Sequence, residues 1–397
     1  MLKATKVRLY PTSEQKSALA FQFGAVRWVY NYALDWRSGA WKERGENITR
    51  RMTLDKLVKL KREEATAWLK DADSQALQQS LMHLDNAFDR FFKKLARYPQ
   101  YKNKRGKQSL SYPQRVKVVD DNSLYLPKVG NVRMVLHRDL VGKIKTVTVS
   151  RTWTDKYYAS VLCDDGEPMP EAVSNMEEEG VIGLDVGLSH MTITSYGCKE
   201  DNPRFLKQAE ANLRRKQKSL SRKQKGSANR NKARVLVAKV HEKVRDSRND
   251  FQHKLSKRLI DDNQAICVET LKVKNMLKNR KLAKHIADAS WSDLLLKLGY
   301  KAAWTGKHLV QVNPWFASSK TCSVCGTLAE SIPLSVRQWV CASCGHKHDR
   351  DINAARNIRQ QGILKLKAAG LSVSACGGLR KTGLFPAAVC EAGSLAL

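Results

Sequence analysis

Four cysteines in two pairs are the plainest chemical signal in this chain. Cys322-Ser-Val-Cys325 and Cys341-Ala-Ser-Cys344 are separated by fifteen residues, the two-knuckle spacing of a zinc site. Each Cys-x-x-Cys turn aims two thiolates at one point. Four thiolates satisfy one tetrahedral Zn²⁺ and close its shell, so the ion is expected to be structural, with a redox dithiol as the alternative. His346 and His348 stand nearby, are not needed as ligands, and read as surface histidines or nucleic-acid contacts. Cys163, Cys198, Cys267, Cys376 and Cys390 are scattered, which suits reduced thiols rather than a disulfide framework.

Three carboxylates form the second signal. Asp185 is a lone acid in the apolar run Val181-Ile-Gly-Leu-Asp-Val-Gly-Leu188, Glu269 ends the run Ala265 to Val268, and Asp351 opens a helix in His348-Asp-Arg-Asp-Ile-Asn-Ala-Ala-Arg-Asn357. Burying an unpaired carboxylate costs several kcal/mol, so cations are expected beside the first two. If the three converge, they make an oxygen-rich site for two Mg²⁺ ions about 4 Å apart, suited to phosphodiester cleavage. Singly, each has another explanation: a turn cap, a lysine partner, a helix start. Asp349 rivals Asp351, but its place two residues earlier suits a helix cap.

The elements that must position these groups follow from periodicity. Residues 2–10 alternate like a strand; Thr12 and Gln15 open a helix with a capping box, and Leu19, Phe23, Val26, Tyr30 and Leu34 mark its face. Leu77, Leu81, Leu84, Phe88, Phe91 and Leu95 mark a second helix. From Lys107 to about Cys163 the period changes to two, predicting a small antiparallel β unit or barrel into which the helices are inserted. The acidic stretch 164–180, with Pro168 and Pro170, is the expected domain boundary. Buried strands at 181–188 and 264–270, a helix over Ser292–Thr305, a strand over His308–Val312 and a helix over Asp351–Gln361 then give an α/β layer. The Gly-, Ala- and Ser-rich segment 362–397 is expected to be poorly ordered.

Composition makes nucleic acid the first partner to test. The 397 residues carry 71 Lys plus Arg against 38 Asp plus Glu, a formal charge of +33, yet 42% are apolar, enough for packed cores. Such a charge is self-repulsive without a polyanion, and phosphates are the usual one. Between Arg204 and Arg258 there are 19 basic residues and four acids, over an apolar stripe that Gly226 and Ser227 break into a hairpin. No run of about 18 apolar residues occurs, so no membrane helix is expected, and the opening residues lack a signal peptide's apolar block, which points to the cytoplasm.

The order of these parts resembles the TnpB family, transposon-encoded RNA-guided DNA endonucleases similar to type V CRISPR effectors and long called transposases. The resemblance rests on Gly183-Leu-Asp-Val-Gly187, Arg248-Asn-Asp-Phe-Gln-His-Lys-Leu-Ser256, Val268-Glu-Thr-Leu271, Tyr300-Lys-Ala302, Ser318-Ser-Lys-Thr-Cys-Ser-Val-Cys-Gly326, Asp349 to Asn357, and Gln75 to Leu81 with Ala87-Phe88. It implies a multidomain α/β protein: a β-barrel wedge domain (1–11 and 101–166) interrupted by a helical recognition lobe (12–100), a linker (167–180), and an RNase H-like RuvC nuclease domain (181–317 and 345–361). That domain carries the basic hairpin 204–260 and an inserted zinc ribbon (318–344).

The resemblance further implies catalysis by Asp185, Glu269 and Asp351 with Mg²⁺, Arg337 acting near the scissile phosphate, and one structural Zn²⁺. It implies a guide RNA encoded near the protein's own gene, one RNA per monomer, and cutting of double-stranded DNA beside a short flanking motif. Cleavage supports retention of the transposon, in the cytoplasm or on the nucleoid of a prokaryotic cell. Gln75, Gln78, Tyr112 and Arg115 fall in the segments that vary with the flanking motif. Arg214, Arg215, Lys216, Lys218, Arg222, Lys223 and Lys225 are expected along the RNA–DNA heteroduplex, whose phosphates need charge and no side-chain code. Lys320 stands where many relatives have glutamine. The alternatives are a nuclease-inactive DNA-binding regulator and a strand-transferring transposase.

Overall fold

The computed structural model describes residues 1–333 and 335–374. The chain divides into two compact units that part after Pro168. In the first, β1 (Leu2–Tyr10) leads into α1 (Ser13–Arg44), where Thr12 and Gln15 form the reciprocal capping box. Then come α2 (Arg50–Leu60), a 3₁₀ segment (Glu64–Asp71) and α3 (Ser74–Phe92). Six strands complete the unit: β2 (Gln108–Tyr112), β3 (Lys117–Asp120), β4 (Ser123–Leu126), β5 (Gly130–Val135), β6 (Lys143–Arg151) and β7 (Tyr157–Asp164). The all-antiparallel order is β2-β6-β7-β1-β5-β4-β3. The expected barrel is a half-barrel: β2 and β3 are its edges, and β3 is exposed at every residue, so it has no buried face with which to close the sheet. The alternate residues Val147, Val149, Ala159 and Val161 share one core with Leu19, Phe23 and Leu34 of α1 and Leu77, Leu81 and Leu84 of α3. Leu95 lies beyond the end of α3 and is exposed, outside the predicted apolar face.

The second unit begins with β8 (Asn175–Glu177), a 3₁₀ turn (Glu178–Gly180), β9 (Val181–Asp185), β10 (His190–Thr194) and β11 (Lys199–Asp201). The hairpin α4 (Phe205–Ser221) and α5 (Ala228–Asp262) turns at Gly226, with Ser227 capping α5. Then follow β12 (Ala265–Glu269), the short α6 (Val273–Met276) and α7 (Ala283–Ala289), α8 (Trp291–Trp304), β13 (His308–Val312), the ribbon β14 (Gln338–Val340) and β15 (Lys347–Asp349), α9 (Arg350–Ala368) and β16 (Ser372–Ser374). The central sheet runs β11-β10-β9-β12-β13, with β9, β12 and β13 parallel and β10 and β11 antiparallel.

Strand alternation sorts the two faces of that sheet. Ile182, Leu184, Ile266 and Val268 pack with Leu255 and Leu259 of α5 and Leu294 and Leu298 of α8, whereas Val181, Ala265 and Cys267 pack with Ile358, Ile363 and Leu366 of α9. Two glycines let α9 lie close. A Cβ on Gly183 would land on the Ala355 carbonyl oxygen, and one on Gly362 on Cys267 Sγ. The expectation of a poorly ordered segment from 362 is corrected over 362–374: α9 runs on to Ala368 because Ile363 and Leu366 are buried, and β16 pairs with β8, which itself lies inside the expected linker. Residues 375–397 of that expectation lie outside the described residues.

Candidate metal centres and nucleic-acid surfaces

Asp185 and Glu269 are the last residues of two neighbouring parallel strands. The register pairs Val268 with Leu184, and one step further sets Glu269 beside Asp185, about 5 Å away strand to strand. Both have the parity of Val181 and Ala265, so both face the α9 side of the sheet. Asp351 is in the first turn of α9. The convergence has an electrostatic signature: burial, and after it the charges of Glu269 and Asp351, push the Asp185 carboxyl up to about 8. Three acids thus share one partly desolvated corner, with Ser318 Oγ donating to Glu269 Oε1 at 2.5 Å and Arg337 Nη1 at 3.2 and 3.4 Å from the two oxygens of Asp351. The donor set is all carboxylate oxygen, which fits hard divalent cations such as Mg²⁺. Among the described residues, the group of three or more metal-ligating side chains drawn together most plainly is the cysteine cluster, whose four sulfurs lie within 4.8 Å of one another.

Asp349 is the helix cap: its Oδ1 accepts from the backbone of Asp351 and Ile352 at 3.0 and 3.1 Å, while Lys199 Nζ lies 2.7 Å from its Oδ2. Asn353 and Asn357, which had no role assigned from the sequence, are both buried. Asn353 bridges Ser323 N and the Thr321 carbonyl, and Asn357 Nδ2 donates to the carbonyls of Ser318 and Thr321. They bind α9 to the first cysteine knuckle. Their signal was spacing alone, since residues four apart share one helix face.

The four cysteine sulfurs fit zinc. The Sγ separations are 3.7 Å between Cys322 and Cys344 and 3.6 Å between Cys325 and Cys341, close to the ~3.8 Å edge of a tetrahedron with Zn–S of about 2.3 Å. Thr327, meeting Cys325 through hydroxyl and backbone, brings that thiol down to about 6, toward the thiolate a metal requires. His348 is corrected: it is 3% exposed, with Nε2 3.1 Å from Cys322 Sγ and its ring against Trp339, so it belongs to the knuckle's interior and not to the surface.

The predicted nucleic-acid contacts divide. Gln75 Nε2 donates to Gln114 and Arg115 Nη2 reaches Asp73 at 3.2 Å, so the start of α3 and the segment after β2 do meet, with Gln78 exposed beside them. Tyr112 is corrected: it is 1% exposed, its hydroxyl donates to the Pro127 carbonyl, and it fills the core instead of reaching a base. On the hairpin, Arg214, Arg215, Lys218, Arg222, Lys223 and Lys225 are exposed and Lys216 is half-buried. The Arg248-to-Ser256 motif anchors that hairpin: Arg248 pairs with buried Asp288 at 2.8 Å, and Gln252, fully buried, donates to the carbonyls of Ala289 and Ser290. No helix among the described residues is long and apolar enough to cross a membrane.

Comparison with known proteins gives the family of the chain. Residues 166–280 match a family model described as "Probable transposase" and 291–358 one described as "Cas12f1-like, TNB domain". Residues 1–46 match one described as "Helix-turn-helix domain", although here they fold as β1 followed by the single helix α1. A Streptomyces pristinaespiralis protein named "Putative RNA-guided DNA endonuclease" is 42% identical over 384 residues, covering 95% of this chain and 92% of that protein. "Putative RNA-guided DNA endonuclease InsQ" of Escherichia coli K12 is 32% identical over 398 residues, with 96% of each covered. "TnpB-like protein L79" of Acanthamoeba polyphaga mimivirus is 25% identical over 401 residues, 91% of this chain and 74% of that protein. With identity of this level over nearly the whole length, the chain belongs to the TnpB family.

Proposed function

We propose that this protein is an RNA-guided DNA endonuclease with one RuvC-type, RNase H-like site formed by Asp185, Glu269 and Asp351. The observation that carries the reading is the meeting of three acids from two parallel strand ends and one crossing helix, close enough that burial and mutual repulsion hold Asp185 at about 8. A structural pair or cap would not gather three like charges. Two Mg²⁺ ions bound there would supply activation of water and neutralisation of charge at the leaving oxygen. The chain's own part is to hold the oxygens in place: Ser318 fixes the Glu269 carboxylate, Asp349 caps the helix that presents Asp351, and Arg337 places a cation at the rim.

Sequence recognition falls to base pairing between a guide RNA and the target, with the protein reading backbone and a short flanking motif. The exposed cations of the hairpin suit the first task, and the surface around Gln75, Gln78 and Arg115 suits the second. Retention of the transposon follows as the consequence of cutting a donor site. The test is to purify the protein with its RNA, sequence that RNA, and assay plasmid cleavage with Mg²⁺ for the wild type and Asp185→Ala. Guided cutting abolished by the substitution, with target binding retained, is expected. Cutting that persists places the chemistry elsewhere, and strand-joined products would restore the transposase reading.

A further inference from the structure

Trp315 is 82% exposed, the most solvent-open large apolar side chain among the described residues. It sits on a short loop whose two ends both return to Glu269. On one side Val312 pairs with Glu269 across the β12–β13 register, and Thr270 Oγ1 donates to the Val312 carbonyl at 2.6 Å. On the other side Ser318 Oγ donates to Glu269 itself, and its carbonyl is held by Asn357 at 2.7 Å. The loop is set by Asn313, whose side chain takes the Trp315 N–H at 2.9 Å and whose carbonyl takes the Phe316 N–H at 3.1 Å. Three residues of chain reach at most about 10 Å, so the Trp315 backbone lies within about that distance of Val312 and of Ser318, the two residues that hold Glu269. Lys272, three residues past Glu269, lies 4.5 Å from the ring centroid.

We propose that Trp315 and Lys272 form a platform on which one unpaired base of the DNA strand stacks while its phosphodiester lies at the three carboxylates. A tryptophan this exposed packs into no core, whereas every base offers it a π-face. The ammonium on the ring supplies a phosphate partner, and the exposed cations Lys274, Lys278, Arg280 and Lys281, with no acid in the sequence between 270 and 287, continue the cationic track away from Glu269. The loop is pinned at both ends, so the stack would fix the distance between base and acids. Trp315 is then a substrate-positioning residue of the proposed nuclease site, and the inference rests on that reading.

The experiment uses the full chain with its copurified RNA and a cognate target carrying 2-aminopurine at successive positions of one DNA strand, in the Asp185→Asn background so that the substrate is not consumed. Fluorescence is expected to be quenched at one DNA position near the cut, and relieved by Trp315→Ala. In the cleaving protein, Trp315→Ala is expected to slow the single-turnover rate about tenfold or more, the worth of one base–aromatic stack, with RNA content, melting temperature and target affinity unchanged; Trp315→Phe restores most of the rate. Wild-type cutting rates in Trp315→Ala, or quenching that follows a label in the RNA and not in the DNA, overturn the platform alone. A wild-type complex that never cuts its target overturns the endonuclease reading instead.

Discussion

The crowding of Asp185 can be read without any nucleic acid, as a pH dependence of stability. Its carboxyl moves from 3.8 to about 8 on folding, with burial the first cause and Glu269 and Asp351 next. The sign follows from proton counting. Between these two values the folded chain keeps a proton that the unfolded chain has released, so stability falls as pH rises across that window; below pH ~4 the group contributes nothing, and above pH ~8 the full cost is present. Each unit is worth about 1.4 kcal/mol, giving a ceiling of about 6 kcal/mol, which water reaching the cluster reduces to a few kcal/mol. Between pH 5.5 and 7.5 the metal-free protein is expected to lose roughly 2 kcal/mol from this group, a fall in Tm of about 4–8 °C. Asp185→Asn removes the charge at equal shape and is expected to flatten that slope and to raise Tm at pH 8. Mg²⁺ binding at pH 7 is expected to release close to one proton, measurable by calorimetry in buffers of different ionisation enthalpy. Equal slopes for wild type and Asp185→Asn in EDTA would refute the convergence.

Three further outcomes follow from particular contacts. Gly183→Ala drives a methyl group into the Ala355 carbonyl; backbone cannot yield as a side chain does, so a loss of about 2–3 kcal/mol and a severe loss of cleavage are expected, checked by denaturant unfolding and plasmid cutting. Replacing Cys322 and Cys325 with serine is expected to release one zinc per chain and to lower the melting temperature of the second unit; unchanged zinc by atomic absorption would sink the knuckle assignment. Removing the exposed cations Arg222, Lys223 and Lys225 is expected to weaken RNA binding and to reduce the slope of log K against log salt by about two to three, while cleavage by the assembled complex at low salt changes little.

Much of the site was legible because its signals are local. Cys-x-x-Cys turns, a lone acid in an apolar strand and a capping box each announce themselves within a few residues, and β13 stands at His308–Val312 as expected. What escaped depended on partners distant in sequence. Tyr112 reads as a polar-tipped surface residue until the sheet puts it among Leu124, Leu126 and Met134. His348 reads as exposed until the ribbon folds it under Trp339. The segment from Gly362 has a composition of small residues, yet Gly362 is what lets α9 lie against Cys267, and Ile363 and Leu366 after it are buried.

The same helix, α9, joins the acid cluster to the cysteine knuckles. On α9, Asp351, Ala355, Arg359 and Gly362 fall at spacings of four and three, one stripe, and its later members touch β9 and β12, which end in Asp185 and Glu269. Asn353 and Asn357 are four apart on a stripe two residues away, roughly 160° around the helix at ~100° per residue, and they hold the backbone of the first knuckle. The helix is therefore clamped between the sheet and the zinc ribbon, and the angle at which Asp351 meets the other two acids is set from both sides. The ribbon also supplies Arg337, 3.2 Å from Asp351. Loss of zinc would remove the ion that holds the four sulfurs at one point, free the Asn353 and Asn357 contacts, and loosen Asp351 and Arg337 together while leaving Asp185 and Glu269 on their strands. A zinc-depleted protein is thus expected to retain the buried β9–β12 pairing in hydrogen exchange yet to lose protection in the first turns of α9, the segment that brings the third carboxylate to the cluster.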